Sequence, residues 1–431
     1  MQTRKPREIA FGVLQRREQG AAFVEDALED VLPSLAPVDR RLCQELVYGV
    51  VRWQATLDWL IARKTHGRTQ KAPLQILLRI GLYQMFWLDR VPDHAAVYES
   101  VELARPLGFG AQAGFLNAVL RGYAREREQT VQQLAQLKSS EPSRGYSHPA
   151  WLCERWQTHW GAEALRQLLD WDNQPPRTFA RANRLRIDPA QLLEQWRQEN
   201  VHYDFFQRDW TGENLVFELK SAPPFASLPS FRKGGFYIQD PSTLLAAHLL
   251  DPHPGDRILD LCAAPGGKTT YLAQRLNNQA LIVACDVSAP RLQRLRENCS
   301  RLGVTCVEPV MLDALPQLAV GQLPYDRVLV DAPCSNTGVM RRRVEVRWRV
   351  TLAEIQRLQR SQGELLRAAA SHVKPGGRLV YSTCSLEPEE NQDVVTRFLT
   401  DHPGFALEHE RELVPFRDGV DGTYVACLKR T

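Results

Sequence analysis

The stretch Arg257–Thr270, RILDLCAAPGGKTT, constrains the chain more than any other. A short apolar strand ends at Asp260, and a turn carrying Gly266 and Gly267 opens a helix. An open α/β sheet builds a ligand crevice at its carboxyl edge in this way. Glycines have no Cβ, so a ligand can approach the backbone and meet the N–H groups of the helix start. The spacing excludes two nucleotide readings. A phosphate-cradling loop needs glycine five places before its Gly-Lys-Thr, where this chain has Cys262, and the GxGxxG pattern is absent. What remains is a turn open to a ligand, with Asp260 able to take a cationic group. S-adenosylmethionine, with its amino group and sulfonium, fits that description; a plain strand-to-helix turn is the alternative for the two glycines alone.

A length of 431 residues predicts two to four domains with ample core. The balance of 54 basic against 50 acidic residues, formally +4, permits a nucleic-acid partner without arguing for one. No segment has the unbroken apolar length of a membrane helix, and no early segment pairs a basic start with a long apolar run. A soluble cytoplasmic protein with reduced thiols is the expectation, with a monomer as the simplest state. The nine cysteines form no CxxC pair and no His/Cys cluster at zinc spacing, so neither a metal site nor a disulfide framework is indicated.

From Lys5 to about Arg127 apolar residues recur at helical spacing, as in Leu42, Leu46, Val47, Val50 and Val51, then Leu74, Leu77, Ile80 and Leu82. With breaks at Pro37, Pro73 and Pro92, the pattern predicts five to seven helices in one all-α domain. Arg52, Arg63, Lys64, Arg68, Lys71 and Arg79 read as a solvated basic face, which would also suit RNA phosphates. The runs Arg41–Leu60 and Gly81–Arg105 resemble the NusB family of RNA-binding helical proteins.

The turn residues between Ser139 and His148 predict a linker, and Trp151 to Asp172 a connecting helical segment. Alternation at Phe179, Arg181 and Asn183, a helix over Pro189–Asn200 and a strand over Leu215–Leu219 predict a small α+β module. Arg181, Asn183 and Arg184 are either a basic strand edge for RNA or ordinary surface residues.

The sheet domain is expected from Gly234 onward. Its second strand, Leu281–Cys285, ends at Asp286, roughly twenty residues past the glycine turn, where ribose hydroxyls are held in related folds; helix capping is the alternative, and Ser288 already supplies it. A third strand, Thr305–Leu312, ends at Asp313, able to accept from an adenine amino group. The fourth, Arg327–Val330, delivers Asp331-Ala332-Pro333-Cys334-Ser335, and the fifth, Arg378–Tyr381, delivers Ser382-Thr383-Cys384-Ser385. If these strands are parallel neighbours, two thiols and a carboxylate share the crevice with the cofactor. Buried cysteines commonly serve as small hydrophobes, but both of these follow strands, where reacting groups collect.

Such a set suits methylation of a pyrimidine at carbon 5. That carbon becomes nucleophilic once a thiolate adds at carbon 6, and Asp331 is the candidate acid at ring N3 of cytosine. The target base must leave its stack. The residues alone do not choose between the two thiols.

Asp260–Thr270, Asp331–Ser335 and Ser382–Asn391 (STCSLEPEEN) resemble the motifs of the Sun family of RNA 5-methylcytosine methyltransferases, and with the NusB-like start the resemblance is nearly full length. It implies that Cys262, Ala263, Ala264, Pro265, Gly266, Gly267, Lys268, Asp286, Asp313 and Asp331 line the S-adenosylmethionine site. It also implies that Cys384 is the nucleophile and Cys334 assists product release. In DNA cytosine methyltransferases a Pro-Cys on the fourth strand attacks instead, which would nominate Cys334. Arg343-Val344-Glu345 stands where relatives commonly have His-Pro-Asp, so substrate contacts are not carried over through that loop. The expected architecture is multidomain: an all-α NusB-like RNA-binding domain (1–138), a linker with a small α+β RNA-binding module (139–233), and an α/β Rossmann-like class I methyltransferase domain (234–431). The expected partner is small-subunit ribosomal RNA. The alternatives are a transfer RNA 5-methylcytosine methyltransferase and a non-catalytic RNA-binding assembly factor.

Overall fold

The structure, a computed structural model, describes residues 5–20, 23–312 and 324–431. The chain forms two compact units: Met1–Gln174 with Arg343–Arg349, and Pro175–Arg342 with Val350–Thr431.

The first unit is helical, and seven α-helices among its described residues run from Pro6 to Arg125, at the upper end of the expected number. Pro37, Pro73 and Pro92 lie at helix starts, where a missing N–H is harmless. The helix Ala72–Trp87 is buried on nearly every side, from Leu74 through Met85, as a helix apolar all round must be. Helix Pro37–Arg52 approaches it at Gly49, where a Cβ would lie 1.9 Å from the Tyr83 ring, so only glycine fits. Two of the expected surface cations are internal. Arg79, 7 % exposed, pairs with Asp58 and Glu18 at 2.8 Å, and Arg52 is 8 % exposed. Arg79 lies on the helix that is buried nearly all round, and apolar periodicity does not reveal that a cation within it is buried too. The expected linker is largely helical, with Ser139 and Ser140 ending one helix and Pro142–Gly145 forming another. Helices Ala150–Trp160 and Ala162–Asn173 follow.

The segment Arg343–Arg349 completes this unit. Glu345 accepts from the backbone N–H of Val24 at 2.8 Å and from Arg17 at 3.1 Å. Arg347, fully buried, donates to Asn173 Oδ1 at 2.8 Å and to the carbonyls of Asp172 and Ser147. Trp348 Nε1 donates to the carbonyl of Val51 at 2.7 Å, and Val344 joins the helical core.

The second unit holds two sheets. Strands β1 (Thr178–Ala182), β2 (His202–Phe206), β3 (Val216–Ser221) and β4 (Phe236–Ile238) form an antiparallel sheet in the order β2-β3-β1-β4. Helix Pro189–Gln198 covers it through Trp196, which packs edge-on against Phe217 and Phe236. Strand β4 lies past Gly234, where the larger sheet's domain was expected to begin, yet it pairs with β1.

The larger sheet comprises β5 (Arg257–Leu261), β6 (Leu281–Asp286), β7 (Val307–Met311), β8 (Tyr325–Asp331), β9 (Val373–Thr383), β10 (Phe405–Leu413) and β11 (Thr423–Arg430). Its order is β10-β11-β9-β8-β5-β6-β7. From β9 to β7 the pairs are parallel, and β11 and β10 close the edge antiparallel. The chain runs outward from β5 through β6 to β7, then crosses to β8 and runs the other way. The reversal between β5 and β8 is a topological switch point, and the loops above it form a crevice.

Candidate active site

Every residue of the expected cofactor and catalytic set that the structure describes ends or follows β5, β6, β8 or β9 at this carboxyl edge. Asp313 lies outside the described residues.

After β5, Cys262 takes a left-handed φ of 60° and the chain turns back. The Ala263 N–H donates to the Cys285 carbonyl at 2.9 Å, and the Ala264 N–H to Asp286 Oδ2 at 3.2 Å. Gly266, at φ 102°, caps the helix Gly267–Arg275, a conformation that side chains rarely adopt. Asp286 also accepts from the Ser288 N–H at 3.0 Å and pairs with Arg291 at 3.3 Å, so it fastens the glycine loop to the next helix. Ser288 caps that helix, as its sequence position suggests.

Asp260 is fully buried. Thr269 Oγ1 donates to its Oδ2 at 2.6 Å, while Oδ1 has no partner among the described residues. Burial pushes its carboxyl up to about 7, against the Thr269 hydrogen bond. A buried acceptor with an open valence at a strand end is the fit expected for the cationic amino group of S-adenosylmethionine.

The opposite wall comes from β8 and β9. Lys268 Nζ reaches across to Asp331 Oδ2 at 2.6 Å. Burial acts against the Lys268 ammonium; the facing Asp331, with smaller contributions from Cys384 and Asp260, more than restores it. The register β8 to β9 places Asp331 opposite Ser382, so the following loops run side by side. Cys334 Sγ and Cys384 Sγ are 3.2 Å apart, and the Cys384 N–H donates to Cys334 Sγ at 3.3 Å. The contact with Cys384, then burial, raises the Cys334 thiol well above its ordinary value.

Sequence reasoning missed three residues here. Asn336 donates through Nδ2 to the Cys334 carbonyl at 2.8 Å, which turns its Oδ1 toward the Cys384 thiol at 3.1 Å. Glu390, fully buried, accepts from the Ser335 N–H and from Gln362 Nε2, both at 2.9 Å, and from both Ser335 and Ser385 hydroxyls. Only the position of Glu390 inside the STCSLEPEEN motif could have pointed to it. Arg181 is neither an RNA-facing edge nor a surface residue: it is 1 % exposed and donates to Gln239, to the Gly267 carbonyl at 2.9 Å and to Thr270 at 3.0 Å. The small sheet thus braces the cofactor loop. Arg343-Val344-Glu345, the departure from the family pattern, belongs to the helical unit.

A crevice at the switch point, opened by a glycine turn and facing a strand-end carboxyl with a free valence, defines an S-adenosylmethionine-dependent methyltransferase. Comparison with known proteins gives the rest. The family model for 16S rRNA methyltransferase RsmB/F matches residues 247–429, the NusB family model matches 4–125, and a ferredoxin-like domain of the RsmF/B-like methyltransferases matches 148–208. A probable ribosomal RNA small subunit methyltransferase B from Synechocystis is 37 % identical over 98 % of this chain and 99 % of its own. One from Bacillus subtilis is 33 % identical over 98 % of each. The solved structure of PH0851 superposes with a TM-score of 0.78 at 25 % identity, covering 99 % of both chains. The chain belongs to the RsmB/F family of 16S rRNA methyltransferases.

Proposed function

We propose that the protein transfers a methyl group to carbon 5 of a cytosine in small-subunit ribosomal RNA through a covalent adduct with Cys384. The observation that carries this reading is the 3.2 Å approach of two thiols at the end of adjacent parallel strands. Bound S-adenosylmethionine supplies an electrophilic methyl on a sulfonium. Asp260 Oδ1 would accept from its amino group, Asp286 from its ribose, and the backbone from Cys262 to Lys268 would line it, with Asp313 assigned to adenine.

The Cys384 thiolate adds to carbon 6 of the flipped cytosine, forming an S–C bond and shifting the ring π pair so that carbon 5 is nucleophilic. The proton for N3 resides on the Lys268–Asp331 pair, whose 2.6 Å contact lets Asp331 deliver it. Carbon 5 takes the methyl group as the sulfonium–methyl bond breaks, leaving a neutral thioether. Loss of the carbon-5 proton to a base then re-forms the ring double bond and expels the Cys384 sulfur, while N3 returns its proton to the Lys268–Asp331 pair. Cys334 holds its proton and donates it to that departing sulfur. We assign the target as cytosine 967 of 16S rRNA by the family likeness.

Incubation with a ribosomal RNA fragment and labelled S-adenosylmethionine, resolved on a denaturing gel, tests the scheme. Cys334→Ala accumulates a covalent RNA adduct, and Cys384→Ala forms none. The reverse pattern moves the attack to Cys334. Preference for transfer RNA over the ribosomal fragment defeats the substrate assignment, and binding without turnover by the wild type defeats the enzyme reading. Unchanged 5-methylcytosine in 16S rRNA from a deletion strain would also overturn it.

A further inference from the structure

The two cysteines face each other because the loops carrying them are fastened at one point. Each cysteine is followed by a serine, and both serine hydroxyls donate to the same Glu390 carboxylate oxygen, Oε2. Its other oxygen accepts from the Ser335 N–H and from Gln362, each at 2.9 Å. Gln362 stands on the helix Leu352–Ala370 and also donates to the Pro333 carbonyl at 2.9 Å, inside the Cys334 loop. The backbone around Glu390 is fixed as well. Tyr381 Oη donates to the Glu390 carbonyl at 2.7 Å, and the neighbouring Asn391 accepts from Thr383 at 2.6 Å and donates to the Ser385 carbonyl at 2.9 Å. Ser385 Oγ accepts from the Glu387 N–H at 3.0 Å, so its own proton is free to go to Glu390. An ionised carboxylate, which only accepts, closes this donor set.

We propose that Glu390 is a positioning residue that bolts the two thiol loops together and fixes which cysteine carries the attack. The inference rests on the two-thiol reading given above. Glu390 touches neither thiol through a hydrogen bond and acts through Ser335 and Ser385. Contact with Cys384 and burial do most to hold the Cys334 thiol protonated, and the negative charge of Glu390, with little water to screen it, adds to them. Together these influences keep Cys334 as the proton donor.

The test uses the full-length protein and Glu390→Gln, which keeps the shape and removes the charge. The serine hydroxyls can turn to accept from the new amide, so the fold is retained. In a Cys384→Ala background without RNA, alkylation of Cys334 by iodoacetamide is followed against pH. The Gln substitution is expected to move that profile to lower pH, with about a tenfold faster reaction at neutral pH. In the otherwise wild-type enzyme it is expected to lower kcat about 10- to 100-fold while KM for S-adenosylmethionine stays within about twofold. A purely structural glutamate would leave the alkylation profile in place. An unchanged profile overturns the proposal whatever happens to kcat, and so does wild-type kcat. If Glu390→Gln does not fold, the Ser335→Ala/Ser385→Ala double variant replaces it, and retention of wild-type kcat there overturns the proposal equally. Alkylation requires no RNA, so failure of the methylation scheme, seen as no adduct in Cys334→Ala with Glu390 intact, is read separately.

Discussion

Asp260 and Glu390 are both fully buried carboxyl groups at the same sheet edge, and they are finished differently. Glu390 has donors on both oxygens, while Asp260 has one donor and an oxygen without any. A buried acceptor left open is expensive unless something arrives to fill it. On that ground we propose that the saturated carboxylate serves the architecture of the thiol loops and the unsaturated one meets a ligand. Chemical identity and burial are the same; the hydrogen-bond inventory separates scaffold from binding site.

Truncation is the strongest way to break this contrast. Glu390→Ala strands donors from two loops and a helix, at a cost of about 3–5 kcal/mol, and the sheet unit should melt at clearly lower denaturant. Asp260→Asn should do the opposite to the unliganded fold. The Asp260 carboxyl is raised in the folded protein from about 3.8 to about 7, so between those values the folded state keeps a proton that the unfolded chain has lost. Stability from this group is therefore present at low pH and declines as pH rises toward 7, by an amount on the order of 4 kcal/mol. Asn removes that decline, so the ligand-free variant should unfold later than wild type at pH 7.5. S-adenosylmethionine affinity should meanwhile fall about 10- to 100-fold, and the proton release expected of wild type, read by calorimetry in buffers of different ionisation enthalpy, should be lost. The smallest expected effect is that of Thr269→Val. It removes the one donor to Asp260, worth about 1 kcal/mol, and should move the rise of cofactor affinity to higher pH.

Much of this edge was legible in the chain. Strand ends at Asp286 and Asp331, and one a residue past Asp260 at Leu261, were readable because buried parallel strands are short apolar runs that stop where polar chemistry begins. The meeting of Cys334 and Cys384 followed from two such runs being neighbours, which the sheet order bears out. Arg181, Arg79 and Arg347 were not legible. An arginine in the sequence gives no sign of whether carbonyls and carboxylates distant in the chain will converge on it. Glu390 lay inside a motif quoted for its cysteines, but its role comes from Ser335, 55 residues away in the chain. Short-range pattern places elements; partners across long loops decide what a polar side chain does.

The seven residues Arg343–Arg349 carry a consequence for how the protein is made. The helical unit leaves the ribosome through Gln174, but its last piece is translated only about 170 residues later. At about 5–20 residues per second that interval is roughly ten to thirty seconds. Until then the sites that receive Glu345, Arg347 and Trp348 stand without their occupants, so the first domain begun stays open until most of the second has been made.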